Sequence, residues 1–365
     1  MKNASIAVIG AGVFGITTAL HLVAAGHNVT LFEQHDTILK GASTNNHWRH
    51  HIGYHYPRSK ETVDEIKAAT QSFEKVYKST LVNDFVSYYA VSKEGSATTP
   101  QQFLKFCDKE KLPYEICEPP EDLIVKDKIS LCIKTPEAVY DMDIFKSILE
   151  KQLHNSSVRL LLQHQIIGGS KEGIKKILNI KNKLKKYAEK FDVVICATYS
   201  NFNDFHTWFG FPKKEVQYDL MELLEIEIPG KKRFAVTIMD GPFSSLLPRG
   251  KKGTFTLGNV KYSVLKELVA KEKDSTVLTT DQVSSNRDII MKISKELIPC
   301  LRNAKVLKSF FVTRVVKAHQ KNDDARPTEI TDYGNGFYSI FAGKVITCVQ
   351  TAEKLTKLVQ SLHFH

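Results

Sequence analysis

The amino-acid sequence predicts an α/β fold in which a doubly wound domain is interleaved with a mixed-sheet α+β domain. The chain opens with an apolar run, a glycine turn, a helical pattern and a second apolar run, which together predict two parallel strands joined by a helix. A series of strands with Gly- or Lys-rich turns comes later, followed by a second strand-rich region. No linker separates these regions, so each domain is expected to consist of several segments. The predicted bounds are 1–83, 136–215 and 306–365 for the first domain, and 84–135 and 216–305 for the second.

Periodicity and capping residues predict the individual elements. Alternating apolar residues indicate strands, and a 3.6-residue period behind a Ser, Thr, Asp or Asn cap indicates a helix. In chain order the elements are the strand Ala4–Gly10, the helix Phe14–Ala25, the strands Asn28–Glu33 and Asp84–Ser92, the helix Pro100–Lys111 capped by Thr98 or Thr99, the helix Met142–Leu153, three strands of a meander and a buried last strand within Val158–Thr198, strands within Met221–Val260, a polar helical region to about Asn303, further strands, and the helix Val345–Leu362.

The turn after the first strand carries a GxGxxG fingerprint. Gly10 permits the tight turn, Gly12 lets the backbone approach a diphosphate, and Gly15 lets helix and strand pack closely. The free N–H groups of the helix start would bind the diphosphate. Glu33 ends the second strand and can accept hydrogen bonds from ribose hydroxyls. This combination predicts binding of FAD or NAD rather than NADP.

Composition narrows the function classes. With 51 Lys and Arg against 40 Asp and Glu, the formal charge of +11 suits anionic partners without choosing among them. Six scattered cysteines without metal-ligand spacing indicate reduced thiols, and we expect a cytoplasmic protein. The uncharged stretch Ile6–Gly26 contains four glycines, which argues against a signal peptide or a membrane span.

Three further segments are informative about the cofactor. Gly41–Asn46 (GASTNN) is a loop of small residues after the second strand, Phe191–Thr198 (FDVVICAT) is a strand that follows a meander, and Gly343–Thr347 (GKVIT) precedes the last helix. With the fingerprint, they resemble the flavoprotein superfamily of D-amino-acid oxidase, glycine oxidase, sarcosine oxidase, glycerol-3-phosphate dehydrogenase and L-2-hydroxyglutarate oxidase. Two departures concern the flavin contacts: Ile346 replaces a threonine of the usual GKxTT pattern, and Cys196–Tyr199 lacks the common glycine.

The resemblance implies FAD as the cofactor and a glutathione-reductase-type FAD-binding domain. Lys344, at the start of the last helix, would stabilise the negative charge of reduced flavin, although it could also be an ordinary solvated lysine. The residues that the fingerprint and the resemblance assign to FAD are Gly10, Gly12, Val13, Phe14, Gly15, Glu33, Gln34, Ser43, Thr44, Asn45, Asn46, Ile167, Ala197, Thr198, Gly343, Lys344, Val345 and Thr347.

The segment His47–Arg58 (HWRHHIGYHYPR) contains four histidines and two arginines, and the resemblance implies a position beside the flavin ring. Arginine can grip a carboxylate, and histidine can take a hydroxyl proton while hydride leaves the adjacent carbon. We therefore expect Arg49 and His51 to act in catalysis. Tyr54 and Tyr56 are expected as walls or hydrogen-bond donors. Further cations that could face the substrate are Arg249, Arg314 and Arg326.

Structural roles compete with these assignments. His47, His51 and His55 have i,i+4 spacing, but Gly53 and Pro57 interrupt a helix there, so we expect no metal. The last arginine of the segment could simply pair with a nearby acid, and its aromatic residues could belong to the core.

The predicted function is oxidation of a small anionic CH–OH or CH–NH substrate, a 2-hydroxy acid or an amino acid, by hydride transfer to flavin N5. The histidines favour a hydroxy acid. Oxygen, a quinone or a protein carrier could accept the electrons. The alternatives are a flavin-dependent non-redox enzyme such as a sugar isomerase, an NAD-dependent dehydrogenase and a non-catalytic FAD-binding scaffold.

Residues 171–190 include eight lysines. Their alternation with apolar residues favours the solvated face of a sheet, while nucleic acid or an anionic membrane remains an alternative. Because no nucleic-acid-binding signature is present, we expect no nucleic-acid partner.

Overall fold

The computed structural model describes residues 3–274, 278–279, 283–319 and 326–362. The helices are α1 (Val13–Ala24), α2 (Lys60–Tyr77), α3 (Pro100–Lys109), α4 (Met142–His154), α5 (Phe202–Phe209), α6 (Arg287–Lys295) and α7 (Cys348–Gln360). The strands are β1 (Ser5–Ile9), β2 (Asn28–Phe32), β3 (Leu81–Val82), β4 (Val86–Ser92), β5 (Glu115–Ile116), β6 (Ile129–Thr135), β7 (Val139–Tyr140), β8 (Arg159–Leu161), β9 (Gln165–Glu172), β10 (Lys175–Lys181), β11 (Lys186–Phe191), β12 (Val193–Cys196), β13 (Val216–Glu227), β14 (Phe234–Met239), β15 (Ser244–Pro248), β16 (Phe255–Asn259), β17 (Val264–Ala270), β18 (Lys305–Lys317), β19 (Glu329–Asp332) and β20 (Phe337–Phe341).

Short polar residues start two of the helices, and the cap of α3 is one of the two residues that the sequence predicts. The Thr99 hydroxyl accepts a hydrogen bond from Gln102 N, and the Gln102 side chain accepts one from Thr99 N, so this capping box begins α3. The Asp141 carboxylate accepts hydrogen bonds from Asp143 N and Ile144 N at the start of α4.

A six-stranded sheet of order β19-β20-β12-β1-β2-β8 forms the first layer, with its strands parallel except for β19. In the centre, Ile6 of β1 lies between Val29 of β2 and Val193 of β12. The apolar faces of α1, α4 and α7 cover one side of this sheet. This is the doubly wound pattern that the sequence predicts, and it brings the ends of β1, β2 and β12 to the same edge.

The antiparallel meander β9-β10-β11 covers the other side of the six-stranded sheet. Its inward residues, among them Ile166, Leu178 and Phe191, pack with Ala7 and Val194 of the central strands. The outward face carries exposed lysines such as Lys181 and Lys190, as the alternation predicts. Lys176 is an exception, because it is buried and its Nζ donates to Asp192 O at 2.6 Å.

The second large sheet has nine strands, with β17-β13-β16-β15-β14-β4-β6-β5 in order and β18 paired with β13. It is mixed, because β4 and β14 run parallel while the other pairs are antiparallel. Helix α6 packs on this sheet through Ile290 and Met291, and α3 packs on it through Phe103 and Cys107.

Three details differ from the sequence predictions. The predicted helical region before Asn303 contains β17, and among the described residues of that region the helix is confined to α6 and a 3₁₀ turn at Pro299–Asn303. The predicted first strand of the meander is two strands, β8 and β9, because the backbone turns at Gln163 with a φ of 58°. β18 pairs with β13 in the second sheet, so the predicted boundary at residue 306 falls inside a strand of that sheet. The division into two domains stays a prediction.

Within the described residues, no helix is both long and apolar enough to cross a membrane.

Candidate active site

A cavity of about 950 Å³ lies between the two large sheets. Residues at the ends of β1 and β2 line it on one side, and residues of β13 and β18 line it on the other. The fingerprint turn and the segments Gly41–Asn46, His47–Arg58 and Gly343–Thr347 all contribute to its wall, so segments far apart in sequence meet at one place.

The fingerprint turn leaves its backbone open toward this cavity. Gly10 has a φ of +102°, and a Cβ added there would lie 2.8 Å from the Ala197 carbonyl oxygen. A Cβ at Gly15 would lie 1.9 Å from the Gly10 carbonyl oxygen, whereas at Gly12 it would meet only Ser43 Oγ, at 3.2 Å. Gly10, Gly12, Val13 and Phe14 line the cavity, while Gly15 lies behind the turn, where helix and strand pack.

Glu33 and Gln34 line the cavity at the end of β2. The carboxylate of Glu33 accepts hydrogen bonds from Ala11 N at 2.9 Å and from His35 N at 3.0 Å. Each carboxylate oxygen therefore keeps capacity for a further donor, such as a ribose hydroxyl.

The small-residue loop closes on the start of α1. Ser43 Oγ accepts a hydrogen bond from Val13 N at 3.1 Å, and Ser43, Asn45 and Asn46 line the cavity. Thr44, which the sequence assigns to FAD, is not a lining residue. Its hydroxyl donates to Leu39 O at 2.7 Å, so it stabilises the loop instead.

The C-terminal segment contributes Gly343, Lys344 and Val345 to the lining. Lys344 is buried, and its Nζ lies 4.4 Å from the centre of the Tyr56 ring. Thr347 does not line the cavity. Its hydroxyl forms hydrogen bonds with Thr328 Oγ1 and with the Lys344 carbonyl oxygen instead.

The closing strand β12 is followed by Ala197 and Thr198, which both line the cavity. Ile167 is not a lining residue, and its side chain is 39% exposed, whereas its neighbours Gln165 and Ile166 line the cavity at the start of β9.

The segment His47–Arg58 is irregular apart from a bridge between Arg49 and Val139. Its cavity-lining residues are His47, Arg49, His51, His55, Tyr56 and Arg58. Within the described part of the chain, the Nδ1 atoms of the three lining histidines are buried without a hydrogen-bond partner. These atoms are available to a bound molecule.

Burial keeps these imidazoles neutral. It lowers the pKa of His47 to about 3, with a contribution from the nearby charge of Arg49. Burial also holds the pKa values of His51 and His55 well below the usual range, with Lys344 and Arg49 adding to the effect. No group of three or more His, Cys, Asp or Glu side chains that could hold a metal ion is found among the described residues.

Arg49 lines the cavity, but its charge is already paired. One guanidinium nitrogen donates to Glu137 at 2.7 Å and to the Tyr89 hydroxyl, and another donates to Thr237 Oγ1 at 2.8 Å. Glu137 also accepts from Ile52 N at 3.3 Å, so it holds the segment at two points. The sequence contains no local signal for Tyr89, Glu137 or Thr237, because strand pairing brings them to Arg49 from distant positions.

The structure places Tyr54 and Arg249, two further predicted site residues, outside the cavity lining. Tyr54 is fully buried in a cluster with Tyr89 and Phe103, its hydroxyl donates to Pro113 O, and it does not line the cavity. Arg249 is not a lining residue either. Its guanidinium lies 3.9 Å from the centre of the Trp48 ring and 3.5 Å from the Glu225 carboxylate, so both residues have packing roles.

Arg314 and Arg326 line the cavity, as does Arg58. Arg314 donates twice to the buried Asp219, at 2.9 and 2.7 Å. Arg58 pairs with Asp240 at 2.8 Å, which lies 182 positions away, rather than with an acid next to it in sequence. The cavity thus contains several cations whose positions are fixed by buried or partly buried carboxylates.

The sequence prediction missed the apolar part of the lining. Alternation alone does not reveal which face of a strand in the second sheet points to the cavity, and partner strands decide this. The apolar lining residues from this sheet include Met221, Leu223, Ile238, Met239, Phe311 and Val312.

Comparison with known proteins accords with this geometry. Residues 5–280 match the DAO family, described as FAD dependent oxidoreductase. The chain is 27% identical over 267 residues to the FAD-dependent monooxygenase FPY4 of Fusarium mangiferae, an alignment that covers 72% of this chain and 65% of that protein. The chain thus spans slightly less than two thirds of the length of FPY4. It is 24% identical over 383 residues to the FAD-dependent monooxygenase kojA of Aspergillus flavus, covering 98% of this chain and 86% of that protein.

Solved structures share the fold at lower identity. Glycine oxidase from Geobacillus kaustophilus has a TM-score of 0.75 at 13% identity and covers 100% of this chain and 96% of its own. L-alpha-glycerophosphate oxidase from Mycoplasma pneumoniae, solved with FAD bound, has a TM-score of 0.76 at 14% identity and covers 99% and 96%. Because the family match extends over most of the chain, the protein belongs to the DAO family of FAD-dependent oxidoreductases and is an FAD-dependent enzyme.

Proposed function

We propose that this enzyme oxidises a small anionic substrate with a CH–OH or CH–NH group, a 2-hydroxy acid or an amino acid, with hydride passing to flavin N5. The observation that carries the proposal is a single cavity lined by both the fingerprint turn and the His47–Arg58 segment. A cofactor that extends from one to the other would have its reactive end beside histidines and cations. Bound FAD supplies the two-electron acceptor.

The nucleotide end fits a dinucleotide diphosphate. The turn at Gly10 and Gly12 would bind the diphosphate at the start of α1, and the carboxylate of Glu33 would accept hydrogen bonds from the ribose hydroxyls. Lys344 would stabilise negative charge that develops on the flavin. We infer that these residues hold and orient the cofactor.

The other end provides groups for the substrate. Arg326 and Lys344 bring positive groups to this part of the lining, and Arg314 adds a guanidinium held by Asp219, which together favour a carboxylate. Burial and the charges of Lys344 and Arg49 lower the pKa of His51, so the imidazole is neutral, and its buried Nδ1 has no hydrogen-bond partner among the described residues. A substrate carboxylate bound nearby would offset those cations, raise this pKa and strengthen His51 as a base. We propose that His51 accepts the proton of a substrate hydroxyl as hydride leaves the adjacent carbon, so both hydrogens of the CH–OH group are accounted for. Tyr56, next to the ring of His51, orients that imidazole.

The test is the anaerobic absorption spectrum of the FAD-loaded enzyme before and after addition of 2-hydroxy acids, amino acids and sugar phosphates. We expect the flavin bands to bleach with a hydroxy acid, and the rate of bleaching in His51→Asn to fall about 100-fold because the proton acceptor is lost. An active FAD enzyme whose flavin no hydroxy acid or amino acid reduces would contradict the proposal. Full activity in His51→Asn would contradict the role of His51.

Monooxygenation is a second candidate, because both curated relatives described above are named FAD-dependent monooxygenases. The apolar lining from Met221, Leu223 and Phe311 would suit a larger, less polar substrate than a hydroxy acid. In that reaction one atom of O₂ enters the product and the other leaves as water, and a reductant such as NADPH supplies the two electrons. Product formed under ¹⁸O₂ would carry the label in this case and would lack it after simple dehydrogenation.

A further inference from the structure

The turn between β10 and β11 exposes a leucine at its tip. Asn182 Oδ1 accepts hydrogen bonds from Leu184 N at 2.9 Å and from Lys185 N at 2.8 Å, and Asn182 N donates to Lys185 O. This closed turn leaves the Leu184 side chain 93% exposed. Polar residues and glycine are usual in such turns, and Leu184 contributes almost no buried surface to the fold.

Lysines surround this leucine. Lys181, Lys183, Lys185 and Lys186 are all exposed, and none of them forms an ion pair among the residues that the structure describes. The acids of the meander are engaged elsewhere: Glu172 pairs with Lys190, Glu189 with Arg159, and Asp192 with Lys175. The tip, residues 181–186, is therefore a concentrated positive patch with an apolar centre.

We propose that the tip docks the enzyme on an anionic phospholipid surface. Leu184 would insert at the boundary between headgroups and acyl chains, and the lysines would contact the headgroups. Lysines next to an exposed apolar side chain suit both parts of that interface. The phosphates of a nucleic acid would also pair with the lysines, but a leucine side chain offers the nucleic-acid bases no aromatic surface for stacking. The lipid surface accounts for both the charge and the exposed leucine.

The tip is fixed to the wall of the cofactor cavity. Asn182 Nδ2 lies 3.1 Å from Nε2 of His164, and His164 and Gln165 line the cavity. Docking through the tip would hold this side of the enzyme, where Glu33 and Gln34 also lie, toward the membrane. The proposal is independent of the substrate that the enzyme oxidises.

Vesicle co-sedimentation tests the proposal on the FAD-loaded enzyme, with phosphatidylcholine vesicles that contain or lack phosphatidylserine. We expect binding only to the anionic vesicles, and weaker binding as salt is raised, because salt screens the lysines. Lys183→Ala/Lys185→Ala should weaken binding about 30-fold, from about fivefold for each lysine. Leu184→Asn should weaken it about tenfold without changing the charge.

The matched control is Lys105→Ala/Lys109→Ala on α3, which removes the same charge from exposed positions outside the meander. Flavin absorbance checks that each variant is folded and loaded. The proposal is overturned if the wild type does not prefer anionic vesicles, if the α3 control weakens binding equally, or if Leu184→Asn binds as well as the wild type. Binding of RNA, but not of vesicles, through the same lysines would overturn it as well.

Discussion

The two sides of the cavity are lined by different kinds of groups. The nucleotide side consists of backbone and small residues, where Gly10 closely approaches the Ala197 backbone and Gly12 approaches Ser43. The opposite side combines an apolar lining with large polar side chains such as Arg49 and Glu137, which are buried and bonded to each other. Added volume should therefore damage the first side, whereas an altered charge should damage the second.

The largest expected effect is on the nucleotide side. Gly15→Ala would force a Cβ to within 1.9 Å of the Gly10 carbonyl oxygen, and relief requires helix and strand to separate. We expect a loss of stability on the order of 4 kcal/mol or more, with loss of bound FAD. Urea unfolding and the ratio of flavin to protein absorbance measure these effects.

Gly41→Ala is the control, because a Cβ there meets no protein atom within 4 Å and the variant should stay folded. Equal FAD content and stability in the two variants would mean that close packing at the turn is unimportant.

On the other side, Arg49→Met should cost about 3–5 kcal/mol of unfolding free energy, because it leaves Glu137 buried without its partner. Arg49→Met/Glu137→Leu removes both charges, and we expect it to regain much of this loss. Urea denaturation of the single and double variants measures the coupling. If Arg49→Met instead keeps its stability and only raises KM, then Arg49 binds the substrate directly.

His50, which is buried within the His47–Arg58 segment, makes the protein sensitive to acid. Burial lowers the pKa of His50 to about 4, compared with 6.5 for the free side chain. Protonation therefore favours the unfolded chain, so the stability that neutral His50 contributes is complete above pH 6.5 and is lost as the pH falls toward 4.

We expect His50→Phe to reduce the loss of stability between pH 7 and pH 4.5 by about 2 kcal/mol. Thermal unfolding at a series of pH values measures this difference. A variant whose melting temperature depends on pH in the same way as the wild type would show that other groups dominate acid unfolding.

The smallest effect is expected at Tyr54. Tyr54→Phe removes a single hydrogen bond to Pro113 O and should cost about 1 kcal/mol without changing kcat or KM. Tyr56→Phe, at a residue that lines the cavity, should change the kinetics more than the stability. Steady-state kinetics and urea unfolding of the two variants distinguish a packing role from a role in the active site. A kinetic defect in Tyr54→Phe would show that Tyr54 acts in the active site after all.

Local spacing explains what the sequence predicted well. The doubly wound layer, the FAD cofactor and the capping of α3 each depend on residues a few positions apart, whose roles follow from backbone geometry. The partners of Arg49 are separated from it by 40, 88 and 188 positions, and only the paired strands bring them together. The exposure of the Ile167 side chain has the same origin, because pairing of β9 with β10 fixes which side chains of β9 are buried.

The central position of β1 has a consequence for synthesis of the chain. β1 pairs with β12, and Ser5 and Asp192 bond across 187 positions, while Gly343 and Lys344 complete the cavity near the other end. No contiguous fragment shorter than nearly the whole chain contains every wall of the cofactor site. A nascent chain on the ribosome therefore cannot form the complete FAD site until residue 344 has emerged. Pairing between such distant segments also slows folding.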